Sequence, residues 1–388
     1  MTENKTLKIA FLSTIPPKEC GIATFTQDLI DAIDFLKVVD TNVIAINNDI
    51  PMIYSDKISD EINRNNKNDY IVLAEKINNS DIDLLLIEHE YGIYGGDCGE
   101  YLLDLINAIN VPMIATLHTI LRKPNEKQKS IILALGEKCK KIITMAKKTN
   151  DLLISEYNIP KEKIEIIHHG VPNIVVKDRA TLKKEFGFEN RQIVSTFGLL
   201  SQGKGIEYAI EAISKVEKKH KDILYLILGQ THPEQKNENY RKMLKEIISK
   251  NHIEDNVIFV NKYLTKKEII QYLQMSDIYM TPYLSRDQAV SGTLAYAVGY
   301  GRAIISTPYL YATEMLSDQR GLLAEFENSD SLFQNLDYIL TNPKQKEIME
   351  SNTLKLGKTM YWNIVAQNYI NVFKEVVKTN CEYKVICE

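Results

Sequence analysis

At 388 residues the chain is long enough for two domains. Its formal net charge of −4 argues against a dedicated nucleic-acid binder, which carries a basic balance or stripe. Hydrophobic residues make up 44% and charged residues 25%, and no apolar run reaches the roughly 18 residues that a membrane-spanning helix needs.

The N-terminal residues lead straight into an apolar stretch, Leu7–Leu12, that is too short for a signal peptide. Strands are predicted there and at Val43–Ile46, Asp83–Ile87, Pro112–Leu117, Lys141–Met145 and Ile164–Ile167 in the first half. In the second half they are predicted at Gln192–Phe197, Ile223–Leu228, Asn256–Val260, Asp277–Thr281 and Ala303–Ser306, with a short one at Leu322–Ala324. Most are continuous apolar runs, the mark of parallel strands buried on both faces. Helical patterns lie between them at Thr24–Leu36, Gly99–Ala108, Glu126–Lys138, Ile206–Lys219, Lys236–Ser249, Thr265–Gln274 and Ser329–Leu340. The polar stretch Asn63–Asp69 reads as a loop. About eleven strands exceed one comfortable sheet, so the alternation predicts an α/β chain of two Rossmann-like, doubly wound parallel-sheet domains. The boundary is placed in a hinge near residues 170–180, where His168–Asn173 ends a strand and polar Lys177–Thr181 follows. This gives domains over 1–175 and 176–360. A final helical segment, 361–388, has Trp362, Val365, Tyr369 and Phe373 at helical spacing and is free to pack across the two.

The five cysteines (Cys20, Cys98, Cys139, Cys381, Cys387) form no C-x-x-C pair, which reads as reduced thiols in a cytoplasmic protein. Neither H-E-x-x-H nor a zinc spacing occurs, so no metal site is expected.

Ligands of open α/β sheets bind outside the carboxyl ends of the strands. The unusual polar residues recur there: Glu88-His89-Glu90 after one strand, His118-Thr119 after the next, His168-His169 after a third. A single histidine there can also be an ordinary polar loop residue or helix cap; the recurrence strengthens the case for a site. Gly21, with Ile22, opens a helix after the first strand, where free N–H groups suit an anion or a sugar, although an ordinary turn fits the local sequence equally well. Gly198-Leu-Leu-Ser-Gln-Gly203-Lys204-Gly205 falls one residue short of a P-loop: Gly205 stands where the magnesium-binding Ser or Thr would be. Such a loop suits a diphosphate without a protein-held metal, and Gly205 is read as letting the helix start close to it. Ser291-Gly292-Thr293 opens a second helix and offers hydroxyls and amides to an anion, or is a plain N-cap.

The order of these pieces resembles glycosyltransferase family 4, with the GT-B fold of two Rossmann-like domains facing a cleft. The resemblance rests on the Gly21 loop, Thr116-Leu117-His118, His169-Gly170-Val171, Phe197–Gly205 and the Pro282–Thr307 segment, and covers nearly the whole chain. It implies a retaining transferase that uses a nucleoside diphosphate sugar, with domain 1–175 for the acceptor and domain 176–360 for the donor. It implies that Gly198, Lys204, Ser291, Gly292, Thr293 and Gly21 contact the diphosphate. His118 would touch the donor sugar, with Glu88, His89, Glu90, Gln288 and Ile22 at the sugar or acceptor. Asn261, Tyr263, Leu264 and Tyr296 would lie at the nucleoside. Lys204 and His118 would be catalytic. GDP-mannose and UDP-glucose are both reasonable donors, with no permanently bound cofactor and no required metal, and the acceptor is a carbohydrate or lipid-linked.

The family's two glutamates, eight apart before the glycine matching Gly301, are Gln288 and Tyr296 here, so the ribose contact lacks its usual acid. The loss of both glutamates keeps a non-catalytic sugar-nucleotide-binding protein as an alternative, and Glu88-His89-Glu90 keeps a sugar-nucleotide epimerase. The arginine that often accompanies the family's lysine is absent too, since Leu199, Leu200 and Ser201 occupy that stretch, and Arg286 and Asp287 are nearby substitutes in part. Lys138, Lys140, Lys141, Lys147 and Lys148 form a basic cluster that fits either a solvated face or contact with the inner membrane surface.

Overall fold

The structure is a computed structural model that describes residues 6–48, 52–54, 57–175, 177–231 and 238–387, with side chains to 380. The chain divides into two compact units, one running to Gly170 and resuming at Tyr361, the other Val171–Met360.

The first unit is built on β1 (Leu7–Ser13), β2 (Val39–Asn47), β3 (Ile58–Asn63), β4 (Leu84–His89), β5 (Met113–Leu117), β6 (Lys141–Thr144) and β7 (Ile164–Ile166). All pair in parallel, in the order β3-β2-β1-β4-β5-β6-β7. The second unit holds β8 (Gln192–Phe197), β9 (Ile223–Leu228), β10 (Val257–Val260), β11 (Ile278–Thr281), β12 (Ala303–Ser306) and β13 (Gly321–Leu323), in the order β10-β9-β8-β11-β12-β13 and again parallel. The central strands are buried along their length because helices cover both faces. Winding reverses between β1 and β4 in one sheet and between β8 and β11 in the other. At such a switch point the loops at the strand carboxyl ends part and leave a crevice.

Several elements differ from the sequence expectation. β3 was not predicted, because Ile58–Asn63 lies at a sheet edge with only Ile62 buried and carries no apolar run. Asn63–Asp69, expected as a loop, contains the start of a helix, Lys67–Asn78. Its polarity is capping chemistry: the Asn66 side chain accepts from the Asn68 amide, and the Asp69 carboxylate accepts from the Asn63 amide at 2.8 Å. The helix expected over Lys236–Ser249 spans Asn239–Asn251, and Lys236 lies outside the described residues.

The last helix, Trp362–Cys387, belongs to the first unit. Phe373 meets Phe11 of β1 edge-on at 6.2 Å, and the Tyr369 hydroxyl bonds Thr116 Oγ1 of β5 at 3.1 Å. Gly170 lets the Trp362 ring close on the backbone, since a Cβ there would fall 2.2 Å from the indole.

In the second unit, Asp277 ties sheet to helices. Its carboxylate accepts from the Ile193 amide at 2.8 Å, from Lys183 Nζ at 2.6 Å and from Lys346 Nζ at 3.0 Å. Burial alone would raise its pKa, but the two lysine charges hold it below the usual range. Asp277→Ala would strand both ammonium groups, Lys183 being 8% exposed. The expected cost is about 3–5 kcal/mol, read as a lowered denaturant midpoint; an unchanged midpoint would show that the lysines find water instead.

Candidate functional site

The loops that follow β8 and β11 meet at the switch point of the second unit. Gly198 leaves β8 with φ +137°, a conformation that side chains rarely adopt, and a Cβ there would lie 3.6 Å from Thr293 and 4.0 Å from Lys204 Nζ. Gly198, Lys204 and Thr293 are therefore neighbours in space. Lys204 is half-buried, and its ammonium sits 3.9 Å from the centroid of the Tyr283 ring. Among the described residues it pairs with no carboxylate. Tyr283 is itself 1% exposed, stacks on Tyr309 at 5.6 Å and bonds Thr293 Oγ1 at 2.8 Å. Thr293 in turn bonds Ser291 Oγ at 3.1 Å, and Ser291 caps the helix Gly292–Gly299 by accepting from the Leu294 amide. The amides of Gly292 and Thr293 have no protein acceptor among the described residues. The Tyr279 side chain, fully buried, reaches the same threonine. The result is an unneutralised cation, two open amides and hydroxyls on one helix start, an arrangement made for an anion.

The structure changes the reading of Gly205. Its φ is +61°, and a Cβ would fall 2.1 Å from the Pro282 carbonyl oxygen, so the glycine is required by the approach of the chain after β11 and not by a phosphate. The helix that follows, Ile206–Val216, has its first amide taken by the Tyr240 hydroxyl at 3.1 Å. The open helix start is the one at Gly292. Tyr283 was missed in the sequence; the only signal for it was its place directly after β11 and Pro282.

The remaining second-unit candidates lie around this centre. Tyr296 is 8% exposed with its ring against Phe197, and Gln288 Nε2 donates to the Val290 carbonyl. Asn261 and Tyr263 are exposed after β10, whereas Leu264, at 6% exposure, is a core side chain and not a surface for a base. The Arg286 guanidinium lies over the Phe326 ring at 4.2 Å.

In the first unit, the loops after β1, β4 and β5 converge at the other switch point. The helix Gly21–Leu36 starts at Gly21, earlier than expected, because Cys20 Sγ caps it by accepting from the Ala23 amide at 3.3 Å. A Cβ on Gly21 would meet nothing, and the Gly21 and Ile22 amides have no acceptor among the described residues. One turn on, Phe25 packs edge-on against His118 (4.9 Å), His169 (5.1 Å) and Trp362 (5.3 Å). His118 Nε2 lies 2.7 Å from Glu88 Oε2. Glu90 accepts from the Thr119 hydroxyl. Glu88 and His89 are both 0% exposed, so neither touches a sugar directly, contrary to the expectation from sequence. They come from a continuously buried strand end, which one-dimensional polarity cannot reveal. His168 Nδ1 bonds the Met145 carbonyl, and Lys141 of the basic cluster pairs with Glu165 and Glu375. A cleft of about 310 Å³ opens nearby between Arg64, Tyr91, Tyr94 and Cys98. Among the described residues no group of His, Cys, Asp or Glu is arranged to hold a metal, and no helix is long and apolar enough to cross a membrane.

Two parallel sheets of these orders, one in each unit, make up the GT-B fold. Solved structures of that fold match nearly end to end. HepE of Anabaena, in complex with UDP and glucose, has a TM-score of 0.75 at 14% identity, covering 95% of this chain and 100% of that one. Sucrose-phosphate synthase of Thermosynechococcus elongatus reaches 0.77 at 14%, covering 96% and 100%. In sequence, residues 178–356 match the model of glycosyl transferases group 1 and residues 61–173 that of Glycosyltransferase Family 4. An uncharacterised glycosyltransferase of Methanocaldococcus jannaschii is 22% identical over 251 residues, 62% of this chain and 61% of that relative, so the match spans less than two thirds of the relative's length. The chain belongs to the family 4 type of glycosyltransferase.

The buried histidines make the first unit acid-sensitive. Burial, with the nearby His118, holds the His89 pKa down at about 3, and burial holds His169 at about 4, against 6.5 for a free side chain. Below pH 6.5 the unfolded chain takes up protons that the folded chain refuses. Stability present above that pH is therefore expected to fall as the pH drops toward 3, with the His169 share spent by about 4. Unfolding midpoints across this range should show the loss, and His89→Phe should flatten part of it. A slope unchanged in that variant would assign the loss elsewhere.

Proposed function

We propose that the protein transfers a hexosyl unit, mannose or glucose, from a nucleoside diphosphate sugar to an acceptor hydroxyl with retention of configuration, in glycan or glycoconjugate synthesis. The observation that carries this reading is the Lys204 ammonium, held on the Tyr283 ring beside Gly198, Thr293 and the open amides of Gly292 and Thr293. A departing diphosphate gains negative charge as the glycosidic bond breaks, and a preorganised cation with fixed dipoles lowers the barrier most where that charge develops. The leaving phosphate oxygen itself takes the acceptor proton, so no enzyme nucleophile and no bound metal is needed. HepE is a neighbour solved with UDP-glucose, which supports a donor of this class; UDP-glucose and GDP-mannose both fit.

His118 is assigned to a hydroxyl of the donor sugar, and the open Gly21 and Ile22 amides to the diphosphate or acceptor. Asn261 and Tyr263 are assigned to the nucleoside, with Gln288 and Tyr296 in place of the family's glutamates. The acceptor is a carbohydrate or lipid-linked molecule. We place the protein in the cytoplasm, where these donors are made, with the lysines around Lys138 and Lys140 as the face for peripheral membrane contact.

A thermal-shift panel of sugar nucleotides tests the donor, since a ligand that binds only the folded state raises the melting temperature. With the donor so chosen, Lys204→Ala is expected to lower kcat roughly 100-fold or more, with binding of the free nucleoside less affected. Wild-type turnover in that variant would remove Lys204 from the mechanism. Donor binding without transfer across an acceptor panel would favour a non-catalytic binding protein, and conversion of the donor alone to its epimer would favour an epimerase.

A further inference from the structure

The reading above uses His118 but gives no role to Glu88. We propose that Glu88 is a positioning residue: it fixes His118 with the proton on Nε2, so that Nδ1 meets a substrate hydroxyl as a hydrogen-bond acceptor. The inference rests on the reading that His118 touches the donor sugar or acceptor.

The geometry leaves the imidazole little freedom. Glu88 Oε2 is 2.7 Å from Nε2, and a carboxylate can only accept, so Nε2 is the donor of that bond. A neutral ring then carries its lone pair on Nδ1. Nδ1 has no hydrogen-bond partner among the described residues. Unlike both ring nitrogens of His89, it is not a sealed, unpartnered atom. The His118 amide donates to the His89 carbonyl at 3.0 Å, which holds the backbone, and Phe25 stands edge-on against the ring at an interplanar angle of 87°. Glu88 is held in turn: it faces Thr116 in the β4–β5 register, and its carbonyl accepts from the Tyr94 hydroxyl at 2.8 Å.

Cost strengthens the argument. Glu88 is 0% exposed, and its other carboxylate oxygen, Oε1, has no hydrogen-bond partner among the described residues. A buried carboxylate with one oxygen unsatisfied is expensive, and a well-packed apolar residue would serve the fold as well. What the carboxylate adds is control of one proton on one ring. The other ionisable groups around that ring do not compete: His89 and His169 are both held neutral by burial. One consequence concerns specificity. A hydroxyl that meets Nδ1 has to donate, so a substrate methylated or deoxygenated at that hydroxyl loses the contact.

Nitrogen-15 NMR of histidine-labelled protein at pH about 8, without ligand, tests the tautomer directly. His118 is assigned as the signal lost in His118→Gln. The expected result is a protonated Nε2 and a bare Nδ1 in the wild type, retained in Glu88→Gln, whose amide oxygen still accepts, and a mixture of tautomers in Glu88→Ala. A wild-type ring with Nε2 bare overturns the proposal. Turnover is then followed as UDP release from UDP-glucose or GDP release from GDP-mannose. Glu88→Ala is expected to lower kcat roughly 10- to 100-fold, by analogy with the loss when a metal-ligating histidine is deprived of its outer partner, with Glu88→Gln recovering much of it. The same change in a His118→Ala background should add nothing, whereas losses that multiply would mean Glu88 acts on the fold and would overturn the proposal. If the tautomer is as expected but neither Glu88→Ala nor His118→Ala alters turnover, the role of His118 at the substrate fails, and the substrate half of the proposal with it.

Discussion

A right-handed crossover over a given face of a sheet sets the next parallel strand on one side only, so a sheet that grows in both directions has to reverse its winding and switch its crossovers to the other face. In this chain the reversals fall between β1 and β4 and between β8 and β11. The two central clusters of polar residues follow from that constraint. The loops after β8 and β11 bring Gly198, Lys204 and Thr293 together. Those after β1, β4 and β5 bring Gly21, Phe25, Glu88 and His118 together. Apolar strand interiors fix where the loops begin, and the loops are then free to carry polar groups that the cores would exclude.

The two assemblies solve opposite electrostatic problems. In the second unit the lysine is left without a carboxylate, and an aromatic face takes the place of an ion pair: the Tyr283 ring attracts the ammonium without cancelling its charge. The field of Lys204 therefore stays available to an anion. In the first unit a carboxylate is committed fully, at zero exposure, to one histidine. The neighbouring imidazoles, His89 fully buried and His169 partly, are desolvated enough to have their pKa values held down. One unit keeps a charge unspent, and the other uses a charge to fix where a proton sits.

Much of this was legible in the sequence because it was written in period and punctuation. Continuous apolar runs marked the parallel strands, and glycine with lysine or serine after a run marked the turns at their ends. What escaped was information carried only in three dimensions. β3 is an edge strand with one buried residue, so its sequence has no apolar signature. Leu264 stands beside polar Asn261 and Tyr263 yet points into the core. Glu88 and His89 look like ligand groups because they are polar, and only the structure shows that one is buried against His118 and the other is sealed. Gly205 was noticed correctly as unusual, but the atom it makes room for is the Pro282 carbonyl, from a segment nearly eighty positions later by sequence count. Tyr283 could not be told from the other tyrosines until its ring was seen under Lys204.

The path of the chain sets an order of assembly. The first unit is entered, left at Gly170 and completed only by the segment from Tyr361, whose Tyr369 and Phe373 fill contacts with Thr116 and Phe11. During synthesis all of the second unit is made before the final helix of the first. The early sheet must therefore wait with Phe11 and the face of β5 uncovered, while the later sheet has every part it needs. The oldest residues in the chain are thus among the last to be sealed, and the exposed face of that waiting sheet is the surface on which a chaperone or a misfolding partner would compete.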